Sequence, residues 1–119
     1  MGNQVSIVGS GHTQFGRLQE NLEQLIVAAS QEALQEAGIT GNEVDAVFLG
    51  HFNAGMAADA FASSLILQAD AGLRFKPATR FENACASGAA AVYAAIDAIQ
   101  SGRIEVALVV GVEKMTHND

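Results

Sequence analysis

The chain alternates short apolar runs with segments of helical periodicity, and this alternation constrains its fold more than any other feature. Four runs have the length and composition of β-strands in a buried sheet. They cover Val5–Val8, Val44–Leu49, Ala78–Phe81 and Val106–Val112. The last run is apolar throughout, which is typical of a strand that is covered on both faces in a parallel sheet.

The three segments between these runs predict helices. The first is best defined, because Asn21 is a suitable N-cap, Gln24 follows three residues later, and Gly38 stands where a helix commonly ends. The second covers about 57–70, and its apolar face is formed by Phe61, Leu65 and Ala69. The third covers Ala86–Ser101 and is rich in alanine. Its small side chains predict a central, buried helix that packs close to its neighbours.

The resulting order βαβαβαβ predicts an α/β domain with a mostly parallel sheet and helices on both faces. The length of 119 residues fits one domain, 1–119, and neither an internal repeat nor a linker divides it. In such domains ligands bind at the carboxyl ends of the strands. A functional site is therefore expected at that edge of the sheet.

Composition excludes several classes of function. The chain has 6 basic and 13 acidic residues, so its net charge of -7 would repel a nucleic-acid backbone. One cysteine and three scattered histidines do not form a multi-cysteine zinc site, so no metal is expected, and a lone cysteine fits a reducing compartment. No apolar run approaches the roughly 18 residues of a membrane span. These features together predict a cytoplasmic protein without a nucleic-acid or membrane partner.

Cys85 is the residue whose position best predicts chemistry. It lies between a strand that ends near Phe81 and the alanine-rich helix, and therefore in a turn at the carboxyl edge of the sheet. Unpaired N–H groups and the helix dipole at such a turn stabilise a thiolate and can hold the oxyanion formed on a thioester. The small neighbours Ala84, Ala86, Ser87 and Gly88 leave room for an acyl group. A buried structural cysteine is the alternative.

Other polar residues are weaker candidates. Glu82 and Asn83 are expected to shape the turn through side-chain hydrogen bonds to the backbone, with a contribution to the site as a second role. His12 and His51 follow the first two predicted strands and could approach Cys85 as a base, although most loop histidines have no catalytic role. His117 lies in the terminal tail and is expected to be exposed.

Two further patterns predict no chemistry. Gly9 and Gly11 begin a dinucleotide-binding pattern, but Gln14 occupies the place of its third glycine and the helix begins too late. Glu113 and Lys114 are expected to form a solvated strand end.

The segment ENACASGAAAVYAAIDAIQSGRIEVALVVGVEKMTH closely resembles the nucleophile region of thiolases, particularly the sterol-carrier-protein-type and acetyl-CoA acetyltransferase branch. The segments VSIVGSGHTQFGR and EALQEAGITGNEVDAVFLG resemble the beginning of the same family, so the similarity covers essentially the whole chain. Its core is N-x-C-x-S-G, followed by a helix and an apolar strand that ends in G-x-E-K-M.

This resemblance implies acyl transfer between thioesters. Cys85 would accept an acyl group from acyl-CoA, and its main-chain N–H would form part of an oxyanion hole. The acyl group would then be condensed with a second acyl-CoA, or the reverse cleavage would run, as in lipid metabolism. Asn83, Ser87 and Gly88 are the expected substrate-binding residues. Coenzyme A enters as a thioester substrate, and no bound cofactor is expected.

The resemblance also implies that the chain 1–119 is an incomplete N-terminal domain. In thiolases the last strand of the first half, the loop region with most CoA contacts and the remaining catalytic groups lie further along the chain. We therefore expect a nucleophile half that is inactive alone. It would be completed by a partner chain, or would form a homodimer through the strand Ala78–Phe81. The alternatives are a non-catalytic assembly or acyl-binding module, and a ketoacyl-synthase half, against which the G-x-E-K-M ending argues.

Overall fold

A computed structural model describes residues 4–53 and 55–116. The helices are α1 (Leu22–Ala37), α2 (Ala62–Leu65) and α3 (Ser87–Gln100). The strands are β1 (Ala46–Gly50), β2 (Ala78–Phe81) and β3 (Ala107–Gly111). Single 3₁₀ turns cover Gly41–Glu43, Ile66–Ala69 and Ala71–Leu73.

The three strands form one parallel sheet in the order β2-β1-β3. Gly50, the last residue of β1, is in register with Phe81 of β2 and with Gly111 of β3. All three carboxyl ends therefore meet at one edge of the sheet. The predicted α/β class and the parallel sheet are confirmed.

Helices cover both faces of this sheet. On one face Val47 and Leu49 of β1 belong to a core cluster with residues of α1 and α2. On the opposite face Phe48 packs with the alanines of α3, namely Ala91, Ala95 and Ala98. The small side chains permit the close approach that the sequence predicts. Burial of α3 is limited to this stripe, however, because Val92 and Tyr93 on its outer side are exposed.

Helix α1 has the predicted ends. The Asn21 side chain accepts a hydrogen bond from the Gln24 N–H at 2.8 Å, and the Gln24 side chain accepts one from the Asn21 N–H at 2.9 Å. This reciprocal pair satisfies two N–H groups that have no partner inside the helix. Gly38 ends the helix in the left-handed conformation that glycine adopts without a steric penalty.

The prediction of a buried first strand at Val5–Val8 is wrong. These residues form no strand, and Ile7 and Val8 are 91% and 67% exposed. The segment is held instead against α1, where the Ser10 N–H donates to the Glu36 carboxylate at 3.1 Å. Gly9 permits this contact, since a β-carbon there would lie 2.6 Å from the Ala33 carbonyl oxygen. An apolar run becomes a strand only where another strand lies within hydrogen-bonding distance.

The second predicted helix, about 57–70, is also largely wrong. Helix α2 begins only at Ala62, lasts four residues and continues as a 3₁₀ turn. Before it, the Asn53 side chain accepts a hydrogen bond from the Ala57 N–H at 2.9 Å. Such side-chain contacts compete with helical hydrogen bonding. Phe61, which the helical pattern places on a buried face, has a φ of 59° and is 85% exposed.

Asp45 ties the beginning of β1 to that of β3, and this contact predicts a pH effect. Hydrogen bonds from the N–H groups of Glu105 and Val106 lower the pKa of Asp45, although burial opposes the shift. Because the pKa is lower in the folded state, the stabilisation is present above the unfolded value of about 3.9 and is lost as pH falls through the folded value. We expect Asp45→Asn to lower the urea midpoint at pH 7, and the difference from wild type to shrink below about pH 4. Asp59→Asn, at an exposed position, is the control. A deficit for Asp45→Asn that is the same at both pH values would contradict the prediction.

Candidate functional site

Cys85 lies at the carboxyl edge of the sheet, in the turn 82–86 between β2 and α3. Its side chain is exposed, and it precedes the first residue of the 14-residue helix α3 by two positions. Ala84, immediately before it, has a φ of 47°, a left-handed conformation that is uncommon for a residue with a side chain. The sequence prediction for the place of Cys85 is confirmed, and the exposed thiol differs from the buried structural alternative.

A small hydrogen-bond network fixes this turn. The buried Ser87 hydroxyl accepts from the Asn83 N–H at 2.9 Å and donates to the Ala84 carbonyl at 2.7 Å. The Glu82 carboxylate accepts from the Ala84 N–H at 2.6 Å, and the Ala86 N–H donates to the Asn83 carbonyl at 2.9 Å. Glu82 thus shapes the turn as predicted, whereas Asn83 contributes its backbone. Contact of Asn83, Ser87 or Gly88 with substrate stays a prediction, and the Ser87 hydroxyl is already engaged within the turn.

Within residues 4–53 and 55–116, three N–H groups around the beginning of α3 have no acceptor, those of Cys85, Gly88 and Ala89. Unpaired N–H groups at a helix N-terminus attract negative charge. The turn therefore offers a thiol and hydrogen-bond donors on one exposed surface, which is what an acyl-accepting nucleophile requires.

Gly50 brings the sheet into close contact with this turn. A β-carbon built at Gly50 would lie 2.6 Å from the Ser87 carbonyl oxygen and 2.8 Å from the Gly88 nitrogen. Both are backbone atoms, so they cannot move aside as the end of a flexible side chain can. The end of β1 thus fixes the beginning of α3, and with it the turn that carries Cys85.

A second polar cluster at this edge was not predicted from the sequence. His51 follows β1 and is buried. Its backbone N–H donates to the Phe81 carbonyl at 3.1 Å, and its ring Nδ1 lies 3.0 Å from the Val112 carbonyl oxygen. The Glu113 carboxylate lies 3.3 Å from the same Nδ1. It also accepts hydrogen bonds from the N–H groups of Phe52 and Asn53, at 2.6 and 2.9 Å.

Arg80 completes this cluster from the opposite side. Its guanidinium donates to the carbonyls of His51 and Phe52, at 2.9 and 3.1 Å. The Lys114 ammonium donates to the Leu18 carbonyl. The expectation that Glu113 and Lys114 form a solvated strand end is therefore wrong, because both bind backbone groups. The parallel register is the signal that could have found the cluster, since it aligns the residues that follow Gly50 and Gly111.

Among the residues that the structure describes, no histidine is hydrogen-bonded to Cys85. His51 is committed to the strand ends, and its buried Nε2 has no hydrogen-bond partner among the residues the structure describes. His12 is exposed and packs on Phe15 with ring centroids 4.5 Å apart. His117 lies outside the described residues. In the described ranges no three His, Cys, Asp or Glu side chains group as metal ligands, and no helix there has the length and apolarity to cross a membrane.

The exposed cysteine lies at the carboxyl edge of a parallel sheet, just before a helix. This arrangement defines a class of site that suits thiol nucleophiles. Comparison with known proteins gives the family. Residues 5–119 match the family described as thiolase, N-terminal domain. The chain belongs to the thiolase family.

Relatives and solved structures agree with this assignment. Acetyl-CoA acetyltransferase of Methanocaldococcus jannaschii is 42% identical over 113 residues, which cover 94% of this chain and 29% of that protein. The structure of acetyl-CoA acetyltransferase from Syntrophomonas wolfei matches with a TM-score of 0.76 and 19% sequence identity. The match covers 90% of this chain and 28% of the Syntrophomonas chain, and it supports the fold alone. 3-Oxoacyl-[acyl-carrier-protein] synthase III from Aquifex aeolicus is 26% identical with a TM-score of 0.69, covering 82% of this chain and 31% of its own. The chain spans about 30% of the length of the curated relatives it matches.

Proposed function

We propose that this chain supplies the nucleophile of an acyltransferase that moves acyl groups between CoA thioesters. The Cys85 thiolate attacks the thioester carbonyl, a new carbon–sulfur bond forms, the bond to the CoA sulfur breaks, and the released CoA thiolate takes a proton from solvent. The N–H groups of Cys85 and Gly88 hold the oxygen anion that develops during this step. The substrate is an acyl-CoA such as acetyl-CoA, in keeping with the names of the relatives.

One observation carries this proposal. The exposed Cys85 thiol lies in a hydrogen-bonded turn with free N–H donors, in a chain that belongs to the thiolase family. Carbon–carbon bond formation or cleavage needs an additional base at the second substrate. Neither His12 nor His51 is hydrogen-bonded to Cys85 in the described ranges. The complete reaction therefore requires further residues from a partner. The chain alone performs only the acylation of Cys85.

A second chain could complete the site or stabilise the fold in two ways. One is a chain with the C-terminal catalytic groups, and the other is a homodimer through β2, whose outer edge is unpaired within the described sheet. A non-catalytic acyl-binding or assembly module is the alternative function. The ketoacyl-synthase alternative is favoured by one observation, the 26% identity to the Aquifex synthase, but the relative with 42% identity supports the thiolase reaction.

Acylation by acetyl-CoA tests the proposal directly. After incubation of the chain with acetyl-CoA at neutral pH, intact mass spectrometry should show one acetyl group per chain. Peptide mapping should place it on Cys85, and hydroxylamine should remove it, as expected for a thioester. The same incubation after unfolding in urea is the control, because the turn no longer exists there. Equal acetylation in both states, or acetyl groups on lysines alone, would overturn the proposal.

A further inference from the structure

Glu113 anchors the backbone that follows β1 at the carboxyl edge of the sheet. Its own place is fixed, because the preceding Val112 N–H donates to the Gly50 carbonyl at 3.1 Å and so extends the pairing of β3 with β1. One carboxylate oxygen of Glu113 accepts from the Phe52 N–H at 2.6 Å, and the other accepts from the Asn53 N–H at 2.9 Å. Such charge-assisted hydrogen bonds are stronger than those between neutral groups. Glu113 therefore holds two successive N–H groups directly after β1.

The end of β2 binds the same backbone from the other side. The His51 N–H donates to the Phe81 carbonyl at 3.1 Å. The Arg80 guanidinium donates to the carbonyls of His51 and Phe52, at 2.9 and 3.1 Å. Strand β2 ends at Phe81, and the turn between β2 and α3 begins with the next residue. These bonds join the ends of all three strands into one strand-end network, formed by Arg80, His51, Phe52 and Glu113.

This network bears on Cys85 through the way in which its turn is held. The hydrogen bonds that shape the turn 82–86 join its residues to one another and to Ser87. The turn is thus a compact unit, and its place relative to the sheet is set at its two ends. One end is the beginning of α3, which lies against Gly50. The other end is the last residue of β2, which the strand-end network holds.

We propose that Glu113 is a positioning residue for the nucleophile, and that through the strand-end network it sets where the thiol and the N–H of Cys85 stand relative to a bound thioester. The inference rests on the proposed acylation of Cys85. Attack on a thioester requires the thiol and the oxyanion donors in one geometry, and a displacement of about 1 Å can slow a reaction on the order of a hundredfold. Glu113 is therefore expected to affect the acylation rate through the backbone of β1 and β2, without contacting the substrate.

Single-turnover acetylation of Glu113→Gln tests the proposal. The amide has only one oxygen, so its NH₂ group would face the N–H of Phe52 or Asn53 and one of the two bonds would be lost. At saturating acetyl-CoA the acetylation rate constant of the folded chain should fall roughly tenfold to a hundredfold. The acetyl-CoA concentration that gives half the maximal rate should change by less than about twofold. Glu113→Asp keeps both oxygens and should recover part of the lost rate.

Amide hydrogen exchange reports on the turn independently of acylation. The Ala86 and Ser87 N–H groups donate within the turn, at 2.9 and 3.2 Å. In Glu113→Gln their exchange should become roughly tenfold faster relative to the amides of α1, which report on unfolding of the whole domain. If Glu113→Gln does not fold, Arg80→Met removes the bonds of the network from the side of β2. It should slow acetylation and speed the exchange of these two amides in the same way.

Asp45→Asn is the matched control. Asp45 also accepts hydrogen bonds from two backbone N–H groups, those of Glu105 and Val106, but it does so at the opposite edge of the sheet. This variant should destabilise the chain and leave the acetylation rate constant of the folded chain unchanged. The exchange of the Ala86 and Ser87 amides should rise no more than that of the α1 amides.

Several results would overturn the proposal. One is a folded Glu113→Gln chain that is acetylated at the wild-type rate, and another is faster exchange in the turn that only matches the change in α1. A change confined to the half-saturating concentration of acetyl-CoA would assign Glu113 to substrate binding, which also overturns it. If the wild-type chain is not acetylated at all, the proposed function is wrong. The exchange of the turn amides then decides alone whether Glu113 positions the turn.

Discussion

Replacing Cys85 with serine is expected to eliminate the release of CoA from acetyl-CoA by this chain. A serine hydroxyl at the same place is a weaker nucleophile than a thiol, and it has no adjacent base to activate it. The rate of CoA release in a single turnover should fall on the order of 10³-fold or more. It is measured by trapping the released thiol with a chromogenic disulfide after the protein has been removed by filtration. Wild-type chain should release one equivalent of CoA and then stop.

The same variant separates the proposed enzyme from the non-catalytic alternative. Cys85→Ser should still bind acetyl-CoA in calorimetry with little change in affinity, because serine is nearly isosteric and the turn is held by Ser87 and Glu82 rather than by the thiol. Asp59→Asn, at an exposed position in the loop before α2, is a matched surface control and should release CoA as wild type does. If wild type and Cys85→Ser both bind acetyl-CoA and neither releases CoA, the chain is a binding module and the proposed reaction is wrong.

The sequence predicted those helices and strands whose ends are marked by neighbouring residues or whose pairing strands are present in the sheet. Helix α1 was predictable because its caps, Asn21 with Gln24 and Gly38, are built from residues adjacent to its ends. The strands β1, β2 and β3 were predictable because each is a short apolar run between turn residues, and they pair with one another. The place of Cys85 followed from the same logic, since the residue between a strand and the next helix must lie at the edge of the sheet.

The predictions that were wrong or missing depend on contacts that are not local in the sequence. Val5–Val8 has the composition of a strand, but a strand also needs a neighbour, and no sequence pattern shows that the segment packs on α1 instead. Phe61 fits a helical period, but the bond from the Ala57 N–H to Asn53 occupies the backbone before a helix can begin. The cluster of His51 with Glu113 was missed because its members are 62 positions apart, and only the register of β1 with β3 brings them together.

Gly50→Ala is expected to damage both the fold and the site, because a single methyl group there meets the backbone of α3. The β-carbon would lie 2.6 Å from the Ser87 carbonyl oxygen, so either β1 or the first turn of α3 must shift. Overpacking of this kind costs about 1–3 kcal/mol of the free energy of unfolding. The shift should also disturb the hydrogen bonds of Ser87 that hold the turn, and so slow acetylation of Cys85 by more than the unfolded fraction explains.

The register partner of Gly50 provides the matched control for stability. Gly111 ends β3 at the same level of the sheet, and a β-carbon built there meets no atom within 4 Å. Gly111→Ala should therefore change the free energy of unfolding by no more than about 0.5 kcal/mol, as most surface substitutions do. Urea denaturation followed by circular dichroism measures both variants. If Gly50→Ala and Gly111→Ala lower the free energy of unfolding equally, glycine is needed at the strand ends for its backbone freedom, which would contradict the prediction. A selective loss for Gly50→Ala would show that the close contact between β1 and α3 holds the nucleophile in place.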